Sequence, residues 1–272
     1  MNSEKLAIKL DGVPQTLLMP LLGRAKFSEK SYSPIHDPLA IKLVESINYN
    51  FDELLTRITR SLGFWMARAF HFDEAIKKFI TKHPKGTIVN LGAGLETAFH
   101  RVDDGKLKWV DLDLPEVISL RNKLLPQSDR VNCIAKSILD FSWMNDIKEY
   151  GHEFFFFAGG LFMYFTEDEV KSIFIEMAKR FHQSELIFDS VTTRGIYYAN
   201  KMLKEAKMSN AQLQWGLDDI RKLEAWSSNI QIVKHMPYFR DLDTKNFPIV
   251  LRIKMFFYDL HNKNAIMHLK FC

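Results

Sequence analysis

The sequence predicts an α/β protein built on a doubly wound parallel sheet. Three observations carry that prediction. Short apolar runs alternate with amphipathic helical stretches between residues 86 and 191, the pattern of repeated βαβ units. The first run, Thr87–Leu91, ends in Gly92-Ala93-Gly94, where two missing side chains permit a sharp turn and close approach to a ligand. The second run, 107–112, delivers Asp113 nineteen residues after Gly94, the interval at which a βαβ nucleotide site sets its ribose-binding carboxylate. An adenosine-containing cofactor is the first expectation.

Bulk properties narrow the class. A chain of 272 residues, 47% hydrophobic and with 22 Phe, can bury a large core in one domain or one and a half. The net charge of +4 sets 37 basic against 33 acidic residues, and no basic stripe marks a nucleic-acid binder. The N-terminal stretch lacks the apolar segment of a signal peptide. The most apolar window, 154–165, is broken by Gly159-Gly160 and is shorter than the ~18 residues a membrane span needs. No membrane partner is therefore expected. Cys133 and Cys272 form no metal or redox spacing, and a reduced, cytoplasmic location is expected.

Taken in order, residues 1–82 read as helical with no good strand. Asp37-Pro38 is a helix start, with Asp at N-cap and Pro at the first helical position. Ala40, Ile41, Val44 and Ile47 follow at helical spacing, and Asp52 opens a second helix with Leu54, Leu55 and Ile58. A third, 61–81, sets Phe64, Trp65, Ala69, Phe72, Ile76, Phe79 and Ile80 on one broad face. Arg68 lies in that apolar surround and, on periodicity, reads as a snorkelling arginine. Beyond Asp113, a helix from Pro115 turns Val117, Leu120, Leu124 and Leu125 inward. Residues 129–135 read as a third strand with Val131, Cys133 and Ala135 alternating, followed by a turn at 136–140. The Phe run at 152–158 suits a strand covered on both faces. Thr166 and Glu169 form a capping box ahead of a helix, and 184–191 is a fifth strand. Residues 192–215 read as helical, 218–225 as a further helix, 230–236 as a strand, 247–260 as a helix and 266–271 as a final strand. That ending fits an antiparallel addition at the sheet edge.

The cofactor class follows from what is missing. A P-loop sequence does not occur, and a dinucleotide site wants a third glycine where this chain has Thr97. S-adenosylmethionine carries no phosphate. It needs glycines beside its methionine moiety, an acid for the ribose and a polar turn for the adenine. Gly92, Gly94, Asp113 and the 137–140 turn fill those places in order, although Asp113 also reads as the N-cap of the helix from Pro115. No nucleophile elbow, zinc motif or Cys/His cluster occurs, and the nine histidines are scattered. We therefore assign no catalytic residue and expect no metal. Methyl transfer to an acidic oxygen needs little beyond alignment and exclusion of water, worth on the order of 7–11 kcal/mol.

The stretches NLGAGLET, VDLDLPEVISLRNKLLP, GGLFMYFTEDEV and ELIFDSV, with LLMPLLGRAKFSEKSYSPIHDPLAIKLVESINYNFD before them and WGLDDIRKLEAW after, resemble the leucine carboxyl methyltransferase family. They look most like its bacterial branch, which includes O-methyltransferases of aromatic polyketide synthesis. The resemblance implies a seven-stranded, Rossmann-like class I SAM-methyltransferase sheet (83–272) under an N-terminal helical cap (1–82), with a helical insertion at about 192–228. It implies methyl transfer to a hydroxyl or carboxyl of a small, polyketide-like acceptor. Carried over by residue, the glycine motif falls on Gly92 and Gly94, the ribose acid on Asp113 and the adenine flank on Ser137 and Ile138. The cations near the donor's carboxylate fall on Lys26 and Arg68, and Asn90, Leu114 and Gly159 complete the expected cofactor contacts. Two positions depart from the family pattern. Gly159 stands where relatives carry glutamate, with Glu96 or Asp189 as substitutes, and Ala98 stands where they carry arginine. On those departures rests an alternative, a weakened or inactive binding protein that keeps the fold. Tyr32, Tyr164, Tyr197, Tyr198 and Trp215 are candidate walls of the acceptor pocket, and each reads equally as packing.

Overall fold

The computed structural model describes residues 5–8, 12–261 and 264–272. Its centre is a seven-stranded sheet: β1 (Thr87–Leu91), β2 (Lys108–Asp113), β3 (Val131–Ala135), β4 (Phe154–Ala158), β5 (Glu185–Ser190), β6 (Ile230–Pro237) and β7 (Ala265–Phe271). The order is β3-β2-β1-β4-β5-β7-β6. The first five strands are parallel, and β7 runs antiparallel between β5 and β6. The register sets Val89 beside both Val110 and Phe156, so β1 is buried along its whole length.

The phenylalanine run explains the layering. On a strand, successive side chains point to opposite faces. Phe154 and Phe156 therefore join the core on one side of the sheet, and Phe155 and Phe157 the core on the other. The edge strand β3 has one neighbour and one covered face. There the expected phase was wrong: Ile134 is buried, while Cys133 and Ala135 are exposed.

The N-terminal region forms α1 (Leu18–Ser28), α2 (Pro38–Ser46), α3 (Phe51–Ile58) and α4 (Leu62–Lys82), three of which share a separate apolar cluster with the helices that follow β2 and β5. Asp37 caps α2 by accepting from the Ala40 amide at 2.9 Å. The cap of α3 is Asn50 rather than Asp52. A two-residue parallel pairing of Leu6–Ala7 with Ile47–Asn48 interrupts what read as purely helical sequence. The core helices are α5 (Ala98–Val102), α6 (Pro115–Leu124), α7 (Trp143–Asp146) and α8 (Glu167–Arg180), the last with the expected capping box. Residues 192–215 are helical only as α9 (Thr193–Glu205), because Lys207 adopts a left-handed φ of 61° that ends the helix. Then follow α10 (Arg221–Trp226) and α11 (Ile249–His261). Among the described residues, no helix is long and apolar enough to cross a membrane.

Candidate functional site

A cavity of about 620 Å³ opens at the C-terminal ends of β1, β2, β4 and β5, the edge where doubly wound sheets bind ligands. Its floor is the turn after β1. Gly92 and Gly94 have φ of 66° and 46°, values that L side chains rarely adopt. A Cβ on Gly92 would lie 2.7 Å from a methyl of Leu161. The turn is tied to β2, since the Gly94 amide donates to Asp113 Oδ2 at 2.7 Å. The other oxygen, Oδ1, accepts from the Leu114 amide at 2.7 Å. Asp113 is not the N-cap of α6, whose N-cap is Leu114. Burial pushes the Asp113 carboxyl up, and the two amides oppose that. Asn90, Leu114, Ser137 and Ile138 line the same floor.

The far wall carries a second polar group. Arg68 Nη1 on α4 donates to Asp189 Oδ2 at 2.9 Å, and the Gly160 amide donates to Asp189 Oδ1 at 2.6 Å. The Tyr238 hydroxyl, just past β6, donates to Oδ2 at 3.2 Å. Burial works against the Arg68 charge, and the Asp189 carboxylate more than restores it. Burial, helped by that carboxylate, pushes the Tyr238 hydroxyl far above the ordinary phenol range, so it stays a neutral donor. Burial likewise raises Tyr164, against its hydrogen bond to Thr16 at 3.0 Å. All of these side chains line the cavity, and among the described residues no histidine does.

A family model described as leucine carboxyl methyltransferase matches residues 18–178. The chain belongs to the leucine carboxyl methyltransferase family. It is 27% identical over 219 residues to the tetracenomycin polyketide synthesis O-methyltransferase TcmP of Streptomyces glaucescens, covering 80% of each chain. It is 26% identical over 260 residues to the S-adenosyl-L-methionine-dependent methyltransferase dpfgK of Gibberella zeae, covering 88% of this chain and 86% of that one. Among solved structures, the fold matches a putative methyltransferase from Thermobifida fusca with a TM-score of 0.61 at 13% identity, covering 96% and 94%. The protein is thus a SAM-dependent methyltransferase with a mostly parallel seven-stranded sheet.

The residues of this methyltransferase fit S-adenosylmethionine. The two left-handed glycines put no Cβ at their own positions on the floor, and the cavity volume falls in the ~300–1,000 Å³ range of small-molecule pockets. Of the residues expected from sequence, Arg68, Asn90, Gly92, Gly94, Asp113, Leu114, Ser137, Ile138, Gly159, Tyr164 and Tyr198 line the cavity together. Four others are elsewhere. Lys26 is drawn to Glu29 at 3.0 Å on the same helix, and the α1 cation that lines the cavity is Arg24. Tyr32 packs on Phe247 with ring centres 5.0 Å apart. Trp215 is buried in the core beside Trp226, and Tyr197 projects into solvent.

Two supporting arginines were not legible in advance. Arg121 on α6 donates through Nη1 to the carbonyls of Ala93, Gly94 and Glu96, and pairs through Nη2 with Asp111. It fixes the glycine turn from beneath. Arg101 centres a buried ionic knot with Asp73 (2.7 Å), Asp37 (2.9 Å) and Glu96 (2.9 Å). Arg24 joins it through Asp37 and Glu96, each at 3.0 Å, and Thr97 donates to Asp37 at 2.5 Å. The knot spans α1, the N-cap of α2, α4, the glycine turn and α5. Burial acts to raise Asp37, yet Arg24 and Arg101 hold it at about 2. Thr97 occupies the third-glycine position because its hydroxyl belongs to this knot. Ala98 is buried.

Proposed function

We propose that this methyltransferase transfers a methyl group to an ionisable oxygen, hydroxyl or carboxyl, of a small apolar acceptor of polyketide-like shape. One observation carries the reading: a single cavity is lined at one end by the glycine turn and Asp113, and at the other by aromatic side chains around Arg68 and Asp189. The names of the two relatives support the reaction class, and TcmP supports the acceptor class. Bound at the floor, S-adenosylmethionine would supply an already activated methyl group. The chain's own part is then placement. Asp113 accepts the ribose hydroxyls, the backbone at Gly92 and Gly94 receives the methionine moiety, and Ser137 and Ile138 flank the adenine. Arg68, with further donors in its fork, attracts the carboxylate of the donor. Phe64, Trp65 and Met202 exclude water, and Tyr164 and Tyr198 bound the acceptor. We place the enzyme in the cytoplasm and treat 1–82 and 83–272 as one functional unit. Calorimetry with S-adenosylmethionine and S-adenosylhomocysteine tests the reading; absence of heat with both would sink it.

Gly159 motivates a second reading, a weakened or inactive protein that retains the fold. A Cβ there would lie 3.2 Å from Arg68 Nε, so a glutamate would push into the space Arg68 now holds. Asp189 supplies the carboxylate instead. A Gly159→Glu variant separates the two readings. A large gain in cofactor affinity would identify a decayed site. A loss is the outcome expected if Asp189 has taken over the pairing.

A further inference from the structure

Helix α11 is apolar on two sides. Its inner side packs into the core through Met255, Leu251 and Tyr258. At ~100° per residue, Phe256, Ile249, Leu260, Ile253 and Val250 fall within an outer arc of roughly 120°. These five side chains are between 50 and 64% exposed, where a surface helix ordinarily carries charge. Arg252 lies at one border of the arc and Lys254 at the other, both exposed. The one acid of the helix, Asp259, turns inward and accepts from the Phe239 amide at 3.0 Å. An outward apolar stripe bordered on both sides by cations is the pattern of a helix lying in a lipid interface.

We propose that α11 attaches the protein to an anionic membrane surface, with the Phe256 arc among the acyl chains and Arg252 and Lys254 at the headgroup phosphates. A second copy fits the charges less well. A twofold helix pair would set the cationic borders of both copies against each other, while the helix's own acid, Asp259, faces inward. Its thirteen residues fall short of the ~20 a span needs, so the helix would lie along the surface and not cross it. The cavity lies on the other side of the helix: Tyr258, on its inner side, lines it, as does Asn264, which donates to the Tyr258 hydroxyl at 2.7 Å and accepts from the Thr192 amide at 2.8 Å. Membrane attachment therefore does not rest on the small-molecule reading.

Flotation with phosphatidylcholine vesicles, with and without phosphatidylglycerol, tests the proposal. The wild-type chain is expected to float with anionic vesicles and to bind neutral ones roughly tenfold more weakly, with high salt removing the difference. Ile253→Asn with Phe256→Asn should abolish flotation while leaving the melting temperature and cofactor affinity unchanged. If that pair disturbs folding, Arg252→Glu with Lys254→Glu should still remove the preference for anionic lipid. Wild-type protein that stays in solution with both vesicle types overturns the proposal. So does a dimer in analytical ultracentrifugation that Phe256→Asn disperses without any vesicle binding, which would assign the arc to a second copy.

Discussion

The two ends of the cavity are built in different ways. At the floor, the polar groups are largely main-chain atoms held by strand register: Gly94 on Asp113, and three turn carbonyls on Arg121. At the far wall they are side-chain tips from separate elements, with Arg68 from α4, Asp189 from β5 and Tyr238 after β6 meeting at one carboxylate. A floor made of backbone changes only if the sheet changes. A wall made of side chains can be altered one residue at a time.

Substitutions can break or sharpen that contrast. The largest effect is expected where the two ends are joined. Arg101→Met leaves Asp37, Asp73 and Glu96 with only Arg24 as a buried countercharge and should cost about 3–5 kcal/mol in denaturant unfolding. The same knot sets an acid response. Asp37 is depressed to about 2 in the fold, so it contributes about 2 kcal/mol that is fully present above pH ~4 and lost as pH falls through about 2. Asp73 is raised by burial against the pull of Arg101. Its sign is opposite, because the folded chain gains its proton first. Acid unfolding should therefore be shallower than Asp37 alone predicts, and Asp73→Asn should steepen it.

At the floor, Asp113→Ala removes the expected ribose acceptor and the anchor of Gly94 together. Calorimetry should register a loss of roughly a hundredfold in cofactor affinity, about 3 kcal/mol. At the wall, Tyr238→Phe removes one neutral donor to Asp189 and should cost only about 1 kcal/mol. The change should appear as a loss of cofactor affinity of roughly fivefold. An equal loss at both ends would erase the contrast. The smallest effect belongs to Lys26→Ala. Its half-exposed pair with Glu29 should leave cofactor binding intact and shift thermal stability by less than about 1 kcal/mol.

The same contrast explains what could be read from sequence. The floor was legible because glycine spacing, Asp113 and strand periodicity are local signals, and each maps to one turn. Strand β3 misled because alternation sets the period of an edge strand but not which phase is covered. Arg121 and Arg101 escaped notice because arginines on helices usually reach solvent, and only tertiary folding brings them under the turn. Asp189 was visible only as a possible substitute for the glutamate missing at Gly159. Tyr32 in the cap and Trp215 in the insertion read as acceptor walls, and packing takes both elsewhere. The outward arc of α11 was read simply as helix, since periodicity does not say which of two apolar sides faces the core.

The knot around Arg101 also ties the N-terminal helices to the sheet. Swinging α1 and α2 away from the sheet would separate Arg24 and Asp37 from Glu96, Thr97 and Arg101, stranding charges that burial makes costly to leave alone. Opening the site by a rigid movement of these two helices therefore carries an electrostatic penalty on top of the lost packing.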